Sequence, residues 1–106
     1  MAGDMDPLQV IAEPRRREIL SLVWDEELAA GDIASRFEIT FGAISQHLAV
    51  LRETGFVTVR QEGNRRLYRA RKEGLGPLRA VLESMWGETL DDLATAIARE
   101  QEEPGQ

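Results

Sequence analysis

Apolar positions recur at helical spacing along most of this chain and switch only once to alternation. Leu8, Ile11 and Ala12 follow Asp6-Pro7, an N-cap residue with proline at the first helical position. Glu13-Pro14 interrupts that run, because the residue before a proline avoids the helical region. Pro14 then opens a second predicted helix, "PRRREILSLVW", with Ile19, Leu20, Val23 and Trp24 on one side. Asp25-Glu26-Glu27 is a polar break. Beyond it, "LAAGDIASRF" predicts a short third helix carrying Ile33, Ala34 and Phe37 at i, i+1 and i+4. A turn of about three residues leads to Thr40, the N-cap of a fourth helix that runs to about Thr54. Ile44, Leu48 and Leu51 form one narrow apolar stripe on it, and Gly55 reads as its stop.

The period then changes to two. In "FVTVRQEGNRRLYRAR", Val57 and Val59 share one side, and Leu67 and Tyr68 lie beyond a turn at Glu62-Gly63-Asn64-Arg65. Tyr68 is expected to pack this hairpin onto the domain. Gly76-Pro77 introduces one more helix of about 26 residues, ~40 Å long at the usual rise per residue. Its stripe, Leu78, Leu82, Met85, Trp86, Leu90, Leu93 and Ile97, is longer than a core of this size can cover. The surplus predicts a homodimer through the terminal helices, with Leu8 and Ile11 contributing from the first helix.

The predicted fold is therefore mainly α with a β-hairpin wing: four helices, two strands and a closing helix, a winged helix-turn-helix. Residues 1–98 form one domain, with the helix-turn-helix at about 30–54, the wing at 56–70 and the dimerisation helix at 76–100. Residues 101–106 are expected to be a frayed tail.

Charge sharpens this reading. The net charge is −6, which by itself disfavours a nucleic-acid partner. It is unevenly spread. Residues 36–72 carry eight basic and three acidic groups, net +5, between flanks of net −5 and −6. A positive centre between acidic flanks is a local footprint for nucleic acid. Cysteine is absent, which removes disulfides and thiolate chemistry together. No apolar run approaches a membrane span, and the acidic N-terminus lacks the pattern of a secretion signal, so a cytoplasmic location is expected.

Winding the fourth helix at about 100° per residue puts Ile44, Leu48 and Leu51 inward. Gly42, Gln46, Ala49 and Glu53 then face outward, with Ala43 and Ser45 on the shoulders. Small residues let such a helix enter a major groove, where Gln46 can pair with an adenine edge and Ser45 can bond a base or phosphate. Thr40 caps the helix where its backbone N–H groups meet phosphate. Arg65 and Arg66 at the hairpin tip suit minor-groove or phosphate contact, and Arg52 reaches toward phosphate from the flank of the helix. Arg15, Arg16 and Arg17 cannot all face one way and read as a mixture of phosphate contact and solvated face. His47, the only histidine, lies at the edge of the apolar stripe.

Four segments carry a family resemblance: "EPRRREILSLV", "ELAAGDIASRF", "ITFGAISQHLAVLRETGFV" and "RQEGNRRLYRAR". Together they resemble the ArsR family of bacterial winged-helix repressors. The resemblance implies a homodimer on double-stranded operator DNA, often repressing its own operon and released by an inducer. It places Ser45 and Gln46 on base-reading positions and His47 at the edge of the core. Metal-sensing members often carry paired cysteines on the third helix, where this chain has "LAAGDIA". Others use Asp and His ligands on the final helix, where Asp91 and Asp92 have no histidine near them. One histidine cannot complete a soft-metal or zinc site within a subunit, so no metal and no cofactor are expected. The chain looks most like the subgroup without metal ligands, which leaves an unspecified small-molecule or protein effector as a further partner.

Two other function classes compete. Some winged helices are protein-interaction modules without specific DNA binding. Arg65, Arg66, Gly42 and Ala43 favour DNA over that alternative. An enzyme fails on inventory, since no nucleophile–base pair is apparent.

Overall fold

The computed structural model describes residues 6–87. It contains helices α1 (Pro7–Ala12) and α2 (Pro14–Leu22), strand β1 (Leu28–Ala29), and helices α3 (Ala30–Ala34) and α4 (Phe41–Glu53). Strands β2 (Val57–Glu62) and β3 (Arg65–Ala70) follow, then helices α5 (Lys72–Leu75) and α6 (Leu78–Trp86). The chain divides into two compact units, 1–76 and 77–106.

The punctuation residues act as the sequence predicts. Asp6 Oδ1 accepts from Leu8 N at 2.8 Å, and Gln9 Oε1 accepts from Asp6 N, which closes a capping box on α1. The Glu13 carboxylate caps α2 at the Arg15 amide. Thr40 Oγ1 accepts from Ala43 N at 3.1 Å at the head of α4. Its far end closes as a Schellman motif. Gly55 N donates to Arg52 O, Phe56 N donates to Leu51 O, and Gly55 takes φ +82°. A Cβ on Gly74 would collide with the Gly55 carbonyl, so the turn after β3 seats backbone on backbone there.

The wing is an antiparallel hairpin running from Val57↔Ala70 to Glu62↔Arg65. Gly63 has φ +61°, and no non-glycine residue described has positive φ. Glycine at the first of two central positions is the type II′ pattern, whose twist matches that of the flanking strands.

Three expectations are corrected. Residues 28–37 are not one helix. Leu28 and Ala29 pair with Tyr68 and Leu67, so β1 extends the hairpin into a sheet of order β1-β3-β2. The free edge of β3 satisfies backbone groups that the local helix propensity of Leu-Ala-Ala would have paired internally. Second, α3 ends at Ala34, and the link to α4 spans residues 35–40 instead of about three. Three successive turns use it, with Ser35, Arg36 and Phe37 amides donating to Gly31, Ile33 and Ala34 carbonyls. Third, the closing helix is preceded by α5, and Gly76, at φ +56°, separates the two. The part of that predicted helix beyond residue 87, with Leu90, Leu93, Ile97, Asp91 and Asp92, lies outside the described residues, as does the predicted tail.

The core of the first unit joins Val10, Ile19, Leu20, Val23, Ile33, Ile44, Leu48, Leu51 and Phe56, all essentially inaccessible. Leu67 and Tyr68 bury the root of the wing, as expected for Tyr68. No buried polar side chain lacks a hydrogen-bond partner among the described residues. In the second unit, α6 buries Leu82 and ties Arg79 to Glu83 one turn on. No helix among the described residues is long and apolar enough to cross a membrane.

Candidate nucleic-acid interface

Helix α4 separates two jobs by angle. Ile44, Leu48 and Leu51 are buried, while Gly42, Ser45, Gln46, Ala49, Arg52 and Glu53 are exposed and Ala43 is half-buried. Thr40, exposed, holds the start of the helix, so the free N–H groups of its first turn face solvent. Nothing crowds Gly42 beyond the Thr40 hydroxyl at 3.9 Å from a would-be Cβ. A backbone as bare as this can approach another surface closely.

The wing tip places Arg65 and Arg66 in solvent. Arg65 Nη2 lies 3.2 Å from Asp32 Oδ2 on α3, an exposed pair of little stabilising value that can be exchanged for a phosphate. Arg66 and Arg52 have no ion-pair partner among the described residues. Arg60 is committed elsewhere. It grips Glu27 with two nitrogens, at 2.6 and 3.0 Å, and reaches Glu62 at 3.0 Å. That guanidinium holds the Glu27 carboxyl below the usual range. Between the wing, the start of α3 and the first residue of α4, an open groove of about 530 Å³ is lined by Asp32, Phe41, Gln61, Asn64, Arg65 and Arg66 among others. Phe41 is 57% exposed there. The sequence reading passed it over. Its signal was an aromatic at the first helical position, off the centre of the apolar stripe.

The triple-arginine run is also corrected. All three side chains are half-buried and work inside the domain. Arg17 Nη1 donates to the Ile11 and Ala12 carbonyls at 2.7 and 3.1 Å, and Arg16 Nη1 donates to Val10 O, so these carbonyls at the end of α1 find donors on α2. Arg15 lies 5.9 Å over the Phe37 ring.

His47 is half-buried, as its place on the wheel predicts, and its Nδ1 accepts from Arg16 Nε at 3.3 Å. Burial first, then the positive Arg16, pushes its pKa below 6.5. Glu13 opposes this and Arg15 adds to it. A group held neutral in the folded state stabilises the fold above its unfolded pKa and loses that stability as pH falls. Wild-type stability should therefore decline below about pH 6.5, and His47→Gln should flatten that decline in denaturant titrations across the window. An unchanged pH slope in His47→Gln would remove His47 from the account.

The residues expected at a dimer interface divide. Leu8 is 61% exposed and Met85 39%, while Leu78 and Trp86 are half-buried. Ile11 and Leu82 are buried within the single chain. Val81, 48% exposed, is a further apolar position of α6 outside the expected stripe.

With this geometry in place, comparison with known proteins gives a consistent result. Residues 13–59 match the model of the bacterial regulatory protein, arsR family. The transcriptional activator HlyU of Vibrio cholerae is 43% identical over 61 residues, covering 58% of this chain and 56% of HlyU. The HTH-type transcriptional regulator Rv2034 of Mycobacterium tuberculosis is 35% identical over 92 residues, covering 87% of this chain and 86% of that protein. A solved homodimeric winged helix-turn-helix DNA-binding domain, Mb0332 from Mycobacterium bovis, superposes with a TM-score of 0.66. It is 31% identical and is matched over 79% of this chain and 78% of that one. The chain belongs to the ArsR family of winged-helix, DNA-binding transcriptional regulators.

Proposed function

We propose that this protein is a homodimer that binds a specific double-stranded operator, represses transcription by covering it, and is released by a non-metal signal in the cytoplasm. The observation that carries the DNA reading is the outward face of α4. Gly42, Ser45 and Gln46 are exposed behind the Thr40 cap, and the Arg65–Arg66 wing tip stands beside the same helix end. In this reading α4 enters the major groove, Gln46 and Ser45 meet base edges, and Gly42 and Ala43 allow the close approach. Arg52, Arg65 and Arg66 hold the backbone. The homodimeric state of the Mycobacterium bovis relative supports a dimer, as do the exposed Leu8 of α1 and the exposed Val81 and Met85 of α6. The reading assigns no catalytic role to any residue.

Fluorescence anisotropy against the native upstream DNA and against random duplex, at several salt concentrations, tests this. The upstream DNA should bind far more tightly, with affinity falling steeply as salt rises. Gln46→Ala should lose roughly tenfold or more of that preference while leaving affinity for random duplex nearly unchanged. Equal affinity for the two DNAs at physiological salt would leave the protein-interaction module standing in its place. Sedimentation tests the dimer, which should show twice the 11.9 kDa chain mass at micromolar concentration.

A further inference from the structure

Phe41 is an exposed aromatic. It opens α4, it is 57% exposed, and it is the one large hydrophobic side chain left exposed among the described residues between α1 and α6. A solvent-facing aromatic at this place is more than stray apolar surface, because its surroundings are those of a ligand-facing edge. The free N–H groups of the α4 first turn lie beside it, Gly42 beyond it is open, and Arg65 and Arg66 line the same groove. On the helix wheel Phe41 lies about 40° from Ser45 and about 20° from Arg52, so the three form one row at the border between the buried stripe and the outward face.

We propose that Phe41 is a specificity-determining residue that reads thymine by its methyl group, an inference that rests on the DNA-binding reading above. When phosphates occupy the wing arginines and the head of α4, the Phe41 ring is carried toward the floor of the major groove. Of the four bases, thymine alone presents an apolar group there, the C5-methyl. The ring gains by covering that methyl. Against the amino or carbonyl edge of another base it removes water without supplying a hydrogen bond. Sequence choice at this position then comes from an apolar contact one helical turn ahead of the polar contacts of Ser45 and Gln46. The ring has no donor or acceptor, so the preference rests on the thymine methyl alone.

The test uses duplexes selected by the full-length wild-type protein from a randomised pool, and separately by Phe41→Ala. In the wild-type site, each thymine is replaced in turn by deoxyuridine, which removes only the methyl. One thymine per half-site should show a loss of about fourfold per half-site in wild type, the value of one buried methyl. Phe41→Ala, which removes the contact from both half-sites, should bind the thymine site more weakly by roughly fifteenfold or more, show no further loss with deoxyuridine there, and select sites that no longer fix that base. Phe41→Leu should keep the thymine preference, and unchanged thermal unfolding of each variant confirms that the fold is intact. The inference is overturned if deoxyuridine costs Phe41→Ala as much as wild type, or if Phe41→Ala weakens all sequences alike, as contact with a sugar would. If the wild-type protein enriches no sequence at all, the operator-binding reading falls as well, which is a distinct outcome.

Discussion

Replacing Arg65 and Arg66 together by alanine is expected to weaken DNA binding by roughly a hundredfold or more, and to do so for every sequence. The two guanidinium groups stand at the wing tip, exposed, and Arg65 has only the solvent-screened Asp32 carboxylate as a partner. A charge-assisted contact is worth about 1.5–3 kcal/mol, and a symmetric dimer repeats each one. The loss has a signature that a folding defect cannot imitate. Each phosphate contact removed should lower the salt slope by about one, so the double variant should lose about four in a dimer. Stability should hardly move, because the pair with Asp32 contributes at most about 1 kcal/mol and the type II′ turn at Gly63-Asn64 is untouched. A double variant that binds weakly with an unchanged salt slope would place the wing off the DNA. The contrast with Gln46→Ala is also informative. One variant should lose affinity without selectivity, the other selectivity without affinity for random duplex.

Much of this arrangement is legible in the chain because it is set by local chemistry. Asp6-Pro7, Glu13-Pro14, Thr40 and Gly55 each fix a helix end through a cap or a φ angle that one or two residues decide. Gly63-Asn64 sets the hairpin in the same way. The misreadings occur where a distant partner decides. Leu28-Ala29 is strand because the edge of β3, about 40 residues away in sequence, is open to it. Arg16 and Arg17 look like solvated charge until the end of α1 folds back and offers them carbonyls. Arg60 looks like part of a basic wing until Glu27 meets it across a separation of 33 residues. The positive block at 36–72 is thus real in sequence, but the structure spends part of it on internal pairs. At the interface itself, the outward face of α4 follows from helical periodicity alone. Phe41 does not, because periodicity ranks it with the stripe and only the end of the core at that turn exposes it.

The same periodicity yields the sharpest contrast in stability. Leu48 and Gln46 are two residues apart on α4, one 1% exposed and the other in solvent. Leu48→Ala removes three carbon atoms from the junction of the core and leaves a cavity, at a cost of about 2–5 kcal/mol. Small domains have only about 5–15 kcal/mol in all, so this consumes a large share of the stability. In a thermal melt at fixed protein concentration, Leu48→Ala should unfold at least about 8 °C and up to about 40 °C below wild type, at roughly 4–8 °C per kcal/mol for a domain of this size. Gln46→Ala should melt within about 3 °C of wild type, since an exposed substitution changes stability by under about 0.5 kcal/mol. Operator affinity should fall in both, for opposite reasons, while Gln46→Ala keeps its affinity for random duplex. Leu48→Ala should recover its operator affinity when assayed well below its own melting temperature, because its reading face is intact. Gln46→Ala should not recover at any temperature. If cooling restores both, or neither, then α4 does not divide packing from reading by angle, and the outward face cannot be the surface that selects DNA.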